Sequence, residues 1–250
     1  MFRIVTIVVA ATAAASFAIS ASAAEIPNNK ITEVSQTFSW SGVYLGADFG
    51  GGWSRTNLTN TTSDGAFAWP DLAPGQGIGY DQDGVLGGGY VGMNFQRNNW
   101  VYGFELSGSV ADIKGGATTV PGAPYSVGDD VFSSKISAVF LATGRIGLAF
   151  DRSLLYAKGG YAGASVHSRV SDTVGSQQGA GSDENWRSGF TVGSGWEYAL
   201  TNNWISGLEY NYVRLWGGSV NLGDATAHYV FNDDSRNLHA FLARISYKFH

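Results

Sequence analysis

The chain contains no cysteine. That excludes a disulfide scaffold, a thiolate metal site, a cysteine nucleophile and lipid attachment through an N-terminal cysteine. Proline is scarce, at 5 of 250 residues, and charged residues make up only 14%, against roughly 25% in soluble domains. Basic charge is in deficit, with 15 Lys and Arg against 20 Asp and Glu, which argues against nucleic-acid binding. Past the N-terminus no run is apolar enough to cross a membrane as a helix. Such a span needs about 20 residues, and Ile136 to Phe150 is broken by Thr143, Gly144, Arg145 and Gly147. In place of these the chain has 35 Gly, 8 Trp, 12 Tyr and 14 Phe. Aromatics this dense argue against disorder.

The first residues read as an address. Arg3 gives a positive start, Ile4 to Ile19 an apolar and small-residue core, and Ala21-Ser22-Ala23 a cleavage pattern. Residues 1–23 are therefore expected to be a secretory signal peptide. Residues 24–39, with Pro27, Asn28, Asn29 and Lys30, are expected to form a flexible periplasmic leader. Residues 40–250 remain for one domain.

Within that domain the apolar period is two. Val43, Leu45, Ala47 and Phe49 alternate with Tyr44, Gly46, Asp48 and Gly50, and Val91, Met93 and Phe95 with Tyr90, Gly92, Asn94 and Gln96. Trp100, Tyr102, Phe104, Leu106 and Val110 face away from Gly103, Glu105, Ser107 and Ser109. A fourth segment sets Ile136, Ala138, Phe140, Ala142, Ile146 and Leu148 against Lys135, Ser137, Thr143 and Arg145. Four more follow around Lys158, Glu197, Glu209 and Arg244. Each runs about nine to fifteen residues, near the 9–11 that a tilted strand needs to cross a bilayer. Helical spacing fails, since frequent glycines would each cost roughly 1 kcal/mol in a helix.

The connections alternate in length. Short turns fall at 97–99, 151–153 and 201–203, while long polar stretches lie near 55–84, 111–134, 167–187 and 216–236. This is the outer-membrane pattern of short periplasmic turns and long extracellular loops. The expected fold is all-β: an eight-stranded antiparallel transmembrane barrel with four long loops. One face carries large aromatics at the strand ends, suiting interfacial girdles. The other is mostly glycine and small polar residues, too poor in bulk for a dry core but suited to a narrow interior.

That polar face holds Glu105, Arg145, Lys158, Glu197, Glu209 and Arg244. Buried charge is expensive unless paired, so the six are expected to form a lumenal network that plugs the barrel. An ion-selectivity ring, or a catalytic pair such as Glu197 with Glu209, is the alternative use of the same residues. Other patterns carry less. Gly87-x-Gly89-x-x-Gly92 fits the dinucleotide fingerprint but lies within a strand. Asn57 and Asn60 head sequons in a polar loop. Asp64, Asp71, Asp81, Asp83, Asp129, Asp130, Asp233 and Asp234 lack calcium-loop spacing and are expected to be solvated loop acids. His167, His228, His239 and His250 have no metal-ligand spacing. His167 and His228 fall in or beside long loops, whereas His239 and His250 read as strand-end residues. No metal, cofactor or catalytic residue is expected, and no enzyme activity.

The run ATGRIGLAFDRSLLYAKGGYAGA (Ala142 to Ala164) resembles the small outer-membrane surface-antigen family of Gram-negative alphaproteobacteria, the opacity-type "porin family" of immunogenic barrels. So do FTVGSGWEYALTNNWISGLEYNYVRL (Phe190 to Leu215), WSGVYLGADFGGGW (Trp40 to Trp53) and LARISYKF (Leu242 to Phe249). The resemblance implies an eight-stranded barrel in outer-membrane lipid, surface display, and roles in envelope integrity, immune recognition, adhesion or haem binding. It implies no catalytic site. Such barrels end in an aromatic read by the barrel assembly machinery; here Tyr247 and Phe249 fit that signal, but His250 follows. The expected function is structural, with surface interaction through the loops. A narrow pore for small solutes, or a receptor for haem or a host surface using Phe67, Trp69, Trp216 and Tyr229, is the alternative.

Overall fold

The computed structural model describes residues 38–63, 75–118, 131–171, 180–221 and 229–249. The expected signal peptide, the leader up to residue 37, Asp64, Phe67, Trp69, Asp71, Asp129, Asp130, His228 and His250 lie outside the described residues, as does the side chain of Tyr229. The described chain is all strand and connection. The strands are β1 (Gly42–Ser63), β2 (Gly77–Arg97), β3 (Trp100–Thr118), β4 (Val131–Phe150) and β5 (Ser153–Ser171). They continue with β6 (Ala180–Ala199), β7 (Trp204–Leu215), β8 (Gly218–Asn221), β9 (Tyr229–Asp233) and β10 (Arg236–Lys248).

Consecutive strands from β1 to β7 pair antiparallel, β7 pairs with β10, and β10 with β1. The ring therefore closes with eight members. β8 and β9 pair with each other beyond its rim, and β9 continues along β1 where β10 leaves off: Leu58 opposes Asp233 as Arg55 opposes Asn237. The turns at one end are short. Asn98 and Asp151 take φ of 55° and 52°, a left-handed conformation that Asn and Asp tolerate best among residues with a side chain. In the third turn Thr201 Oγ1 accepts from the backbone N–H of Asn203 and Trp204 at 3.2 and 3.0 Å.

The outer face of the short-turn half is a belt of bare apolar side chains. Phe104 and Val110 are 69% and 75% exposed, and Leu45, Phe95, Trp100, Phe150, Leu155, Trp196, Trp204, Phe241 and Phe249 stand out with them. Such a belt is untenable in water but is the lipid-facing surface of a membrane barrel. Apart from Phe150, its residues are those that the alternation assigned to the apolar face.

Toward the other end the strands run on. β1 has 22 residues, roughly 70 Å of extended chain at about 3.3 Å per residue, so about half of it projects past the lipid. Much of what the sequence marked as long loops is therefore strand. In this upper half the sign of the alternation reverses. Leu58, Tyr80, Ile113, Phe132, Ile136 and Val170 point inward and are buried, whereas Arg55, Asp81, Lys114, Lys135 and Arg169 point outward. β4 shows the change of face most clearly. A register shift between Ile136 and Ala138 places Ile136 inside and Lys135 outside, the opposite of the faces expected for them.

The interior is stacked in layers, and this corrects the expectation of a lumen without a dry core. At the short-turn end Phe38, Trp40, Val101, Ala149, Leu154, Ala199 and Ile205 cluster. Phe38 and Ser39, counted with the leader, are part of this closure. The charged residues come next. Above them lies an apolar layer that includes Leu86, Ile113, Ile136, Leu141, Val166, Leu215, Leu238 and Leu242. A polar layer around Arg236 follows, and then Leu58, Phe132, Val170, Val220 and Phe231.

Candidate functional site

Alternation alone delivers the six charged side chains to one place. Glu105 comes from β3, Arg145 from β4, Lys158 from β5, Glu197 from β6, Glu209 from β7 and Arg244 from β10, and each side chain is 1–5% exposed. Glu105 is the hub. Its Oε1 accepts from Lys158 Nζ at 2.9 Å; its Oε2 accepts from Arg244 Nη2 at 2.6 Å, Tyr44 at 3.0 Å and Arg145 Nη1 at 3.5 Å. Glu197 takes Arg145 in a two-pronged pair at 3.1 and 2.7 Å. Glu209 accepts from Lys158 at 2.8 Å, Asn211 at 2.8 Å, Tyr156 at 2.5 Å and Arg244 Nη1.

Tyrosine rings complete the packing. The Arg145 guanidinium lies 4.4 Å from the Tyr156 ring centre and 5.2 Å from that of Tyr44, and Arg244 lies 3.8 Å from that of Tyr90. These stacks use the cation–π attraction that suits arginine. Inward glycines make room for the rings: a methyl group on Gly46 would strike Tyr90, one on Gly92 Tyr44, and one on Gly195 Tyr156. The glycine–aromatic texture of the sequence is thus a packing rule across neighbouring strands.

Sequence reasoning left out Asp48. It is buried on β1, opposite Arg244 in register, yet its Oδ1 has no hydrogen-bond partner. It sits on the polar face of the first segment, so its parity with Gly46 and Gly50 was the available signal. With it, the buried cluster holds four acids and three bases. Asp233 was also misread: it is buried, not a solvated loop acid, and accepts from Arg236 Nε at 3.1 and 2.8 Å. Arg236 also donates to Ser134 at 2.7 Å and Ser168 at 3.4 Å. Their chain separation of three residues, across the break between β9 and β10, hid this pair.

The remaining candidates are dispersed. His167 stands on the outer wall of β5, 3.1 Å from Glu184. His239 lies near the start of β10, stacked on Trp53 and bonded to Tyr210 at 2.7 Å. Among the described residues no group of three metal-ligating side chains comes together. Tyr247 and Phe249 point outward at the strand end, packed edge to face against each other. Trp216 is exposed at the break between β7 and β8.

At the other end of the charge cluster Trp40 is fully buried, with its backbone N–H on Gln96 Oε1 at 2.7 Å and its indole N–H on the Asp151 carbonyl at 3.1 Å. Lys248 donates to the Ser39 carbonyl and lies 4.3 Å from the Phe38 ring centre.

A closed antiparallel ring with an apolar outer belt and ionised residues within defines an integral outer-membrane β-barrel. The chain belongs to the Outer membrane protein beta-barrel domain family, which it matches over residues 9–249. It is 28% identical to the 31 kDa outer-membrane immunogenic protein of Brucella melitensis, over 97% of this chain and 99% of that one. It is 25% identical to the 25 kDa outer-membrane immunogenic protein of the same organism, over 94% and 92% of the two chains. Among solved structures, the outer membrane protease OmpT of Escherichia coli superposes with a TM-score of 0.53, over 83% of this chain and 97% of that one, at 10% identity. That likeness concerns the fold alone. The protein is therefore an outer-membrane protein of the bacterial envelope.

Proposed function

We propose that this barrel is a structural and surface-displayed component of the outer membrane, with a lumen held shut by its own ion pairs and no catalytic step. The layered interior carries this reading. Three carboxylates are each held by at least one guanidinium or ammonium group, and the cluster lies between an apolar layer above and the Phe38–Trp40 closure below. Such packing supports a filled interior, as expected of an eight-stranded ring, in place of the aqueous channel that larger barrels enclose. Planar-bilayer recording is the test. The folded protein should show no steady nanosiemens conductance, and sustained conductance would overturn the reading in favour of a narrow pore.

Surface interaction belongs to the strands and connections beyond the lipid belt. Two relatives are named as immunogenic, which supports display to the outside. Labelling intact cells with antibodies against the connections near 64–74 and 222–228 checks it. Haem titration and host-surface binding assays check whether those connections carry a ligand. Residues 1–23 are read as the export signal, and Tyr247 with Phe249 as the signal read by the barrel assembly machinery. Phe249→Ala is expected to lower the heat-modifiable, folded fraction in outer membranes severalfold, and an unchanged fraction would remove that role.

A further inference from the structure

Directly above the lipid belt, on the outer wall of β3 to β6, lies a concavity of about 710 Å³. Ligand sites commonly span about 300–1,000 Å³. One rung of the sheet sets Lys114, Lys135, His167 and Glu184 side by side as register partners. The next rung outward is Gly116, Ser133, Arg169 and Ser182, whose small members leave the floor low. Below, the same strands present Val110, Phe140, Tyr161 and Trp186 to the lipid, all exposed.

Positive charge is in surplus at its centre. Lys114 and Lys135 share a single carboxylate, that of Asp112, at 3.0 and 2.9 Å. Arg169 is exposed, and no ion pair or hydrogen bond engages its guanidinium among the described residues. The acids of the concavity stand apart on the β6 side, where Glu184 lies 3.1 Å from His167 and accepts from Ser165, and Asp183 accepts from Asn185 at 2.7 Å. On the β2 side Asp83 is the register partner of Lys114 and is itself opposed by Trp53 of β1, with an Arg55–Asp81 pair at 3.8 Å one rung beyond, so acids flank the cations on both sides. The surplus is therefore local to β3–β5.

We propose that this concavity seats the anionic headgroup of an outer-leaflet glycolipid. A phosphate or carboxylate on its sugar lies among Lys114, Lys135 and Arg169, while its acyl chains run down over Val110, Phe140, Tyr161 and Trp186. Continuity with the lipid belt identifies the occupant as a lipid, and the cations select its headgroup. An exposed Lys–Asp pair is weak, so an incoming phosphate competes well for both ammonium groups, and an unpaired guanidinium suits a phosphate two-pronged.

The test uses the folded full chain in neutral detergent micelles, titrated with a diphosphorylated diglucosamine lipid and followed by native mass spectrometry. One lipid should be retained per barrel. Removing the lipid's phosphates, or making Lys135→Gln with Arg169→Gln, should weaken retention by about tenfold or more. Arg55→Gln should change nothing, and all these variants should keep the heat-dependent gel shift, since the residues are exposed. Equal retention of the dephosphorylated lipid, or by the double variant, would show acyl contact alone and overturn the proposal. Displacement of the lipid by inorganic phosphate at comparable concentration would show a simple anion site and overturn it equally.

Discussion

Glu105 receives Arg145, Lys158, Arg244 and Tyr44 at once, so its loss leaves three buried cations to share Glu197 and Glu209. Glu105→Gln is expected to cost about 3–5 kcal/mol, the scale for breaking a buried pair, read as a lowered urea midpoint of the folded protein in micelles. Glu184→Gln, on the exposed wall, should stay within about 1 kcal/mol. Asp48 predicts the reverse. The six other charges balance without it and its Oδ1 is unpaired, so Asp48→Asn should raise the midpoint by about 1 kcal/mol. Asp112 gives a pH signature outside the membrane. Hydrogen bonds from Lys135 and Lys114 hold its carboxyl below the ordinary range. Its small contribution is present above the unfolded value and is lost as pH falls through the depressed one. Its carboxyl carbon should therefore titrate, by NMR, below the value of about 3.9 for an unfolded aspartate. At this scale the sequence was most readable where charge alternated with bulk, as at Glu105, Arg145 and Arg244. It was least readable where the partner was a tyrosine ring, because an aromatic on the polar face counts as neither greasy nor ionised.

Individual strands were legible only across the lipid. There the outward residues are apolar and the inward ones small or charged, and the contrast marks each segment. Farther out the solvent changes from lipid to water while the inside stays packed, so the contrast first fades and then inverts. Strand continuations such as Leu58 to Ser63 or Val131 to Ser134 therefore read as polar loops. The shift at Ser137 compounds this by exchanging faces within β4. A chain free of cysteine makes the face assignment directly testable. Lys135→Cys should react with a membrane-impermeant maleimide on intact cells, and Ser134→Cys, which is buried, should not. Reaction at Ser134 in place of Lys135 would mean that the strand keeps one parity throughout. Close approach between strands gives a second expectation. Gly195→Ala should push Tyr156 off Glu209 and cost about 1–3 kcal/mol, again seen in the urea midpoint.

For the molecule as a whole, the orientation of the sheet turned on which face is wet. The belt around Phe104 and Val110 answers it, and the ring of ladders from β1 through β7 to β10 closes the sheet. What composition concealed was the layering within. Leucine, isoleucine and valine on the inner face are spread over the upper parts of many strands, so no single segment announces a core. Closure itself has a kinetic side. The final ladder joins Tyr44 to Lys248 and runs to Arg55 with Asn237, so the seam unites the two ends of the folded sequence. A chain interrupted before β10 would carry two raw sheet edges and an unbalanced Glu105. Truncated products are thus left unable to seal, exposed to envelope proteases at the very margin that the last strand would have covered.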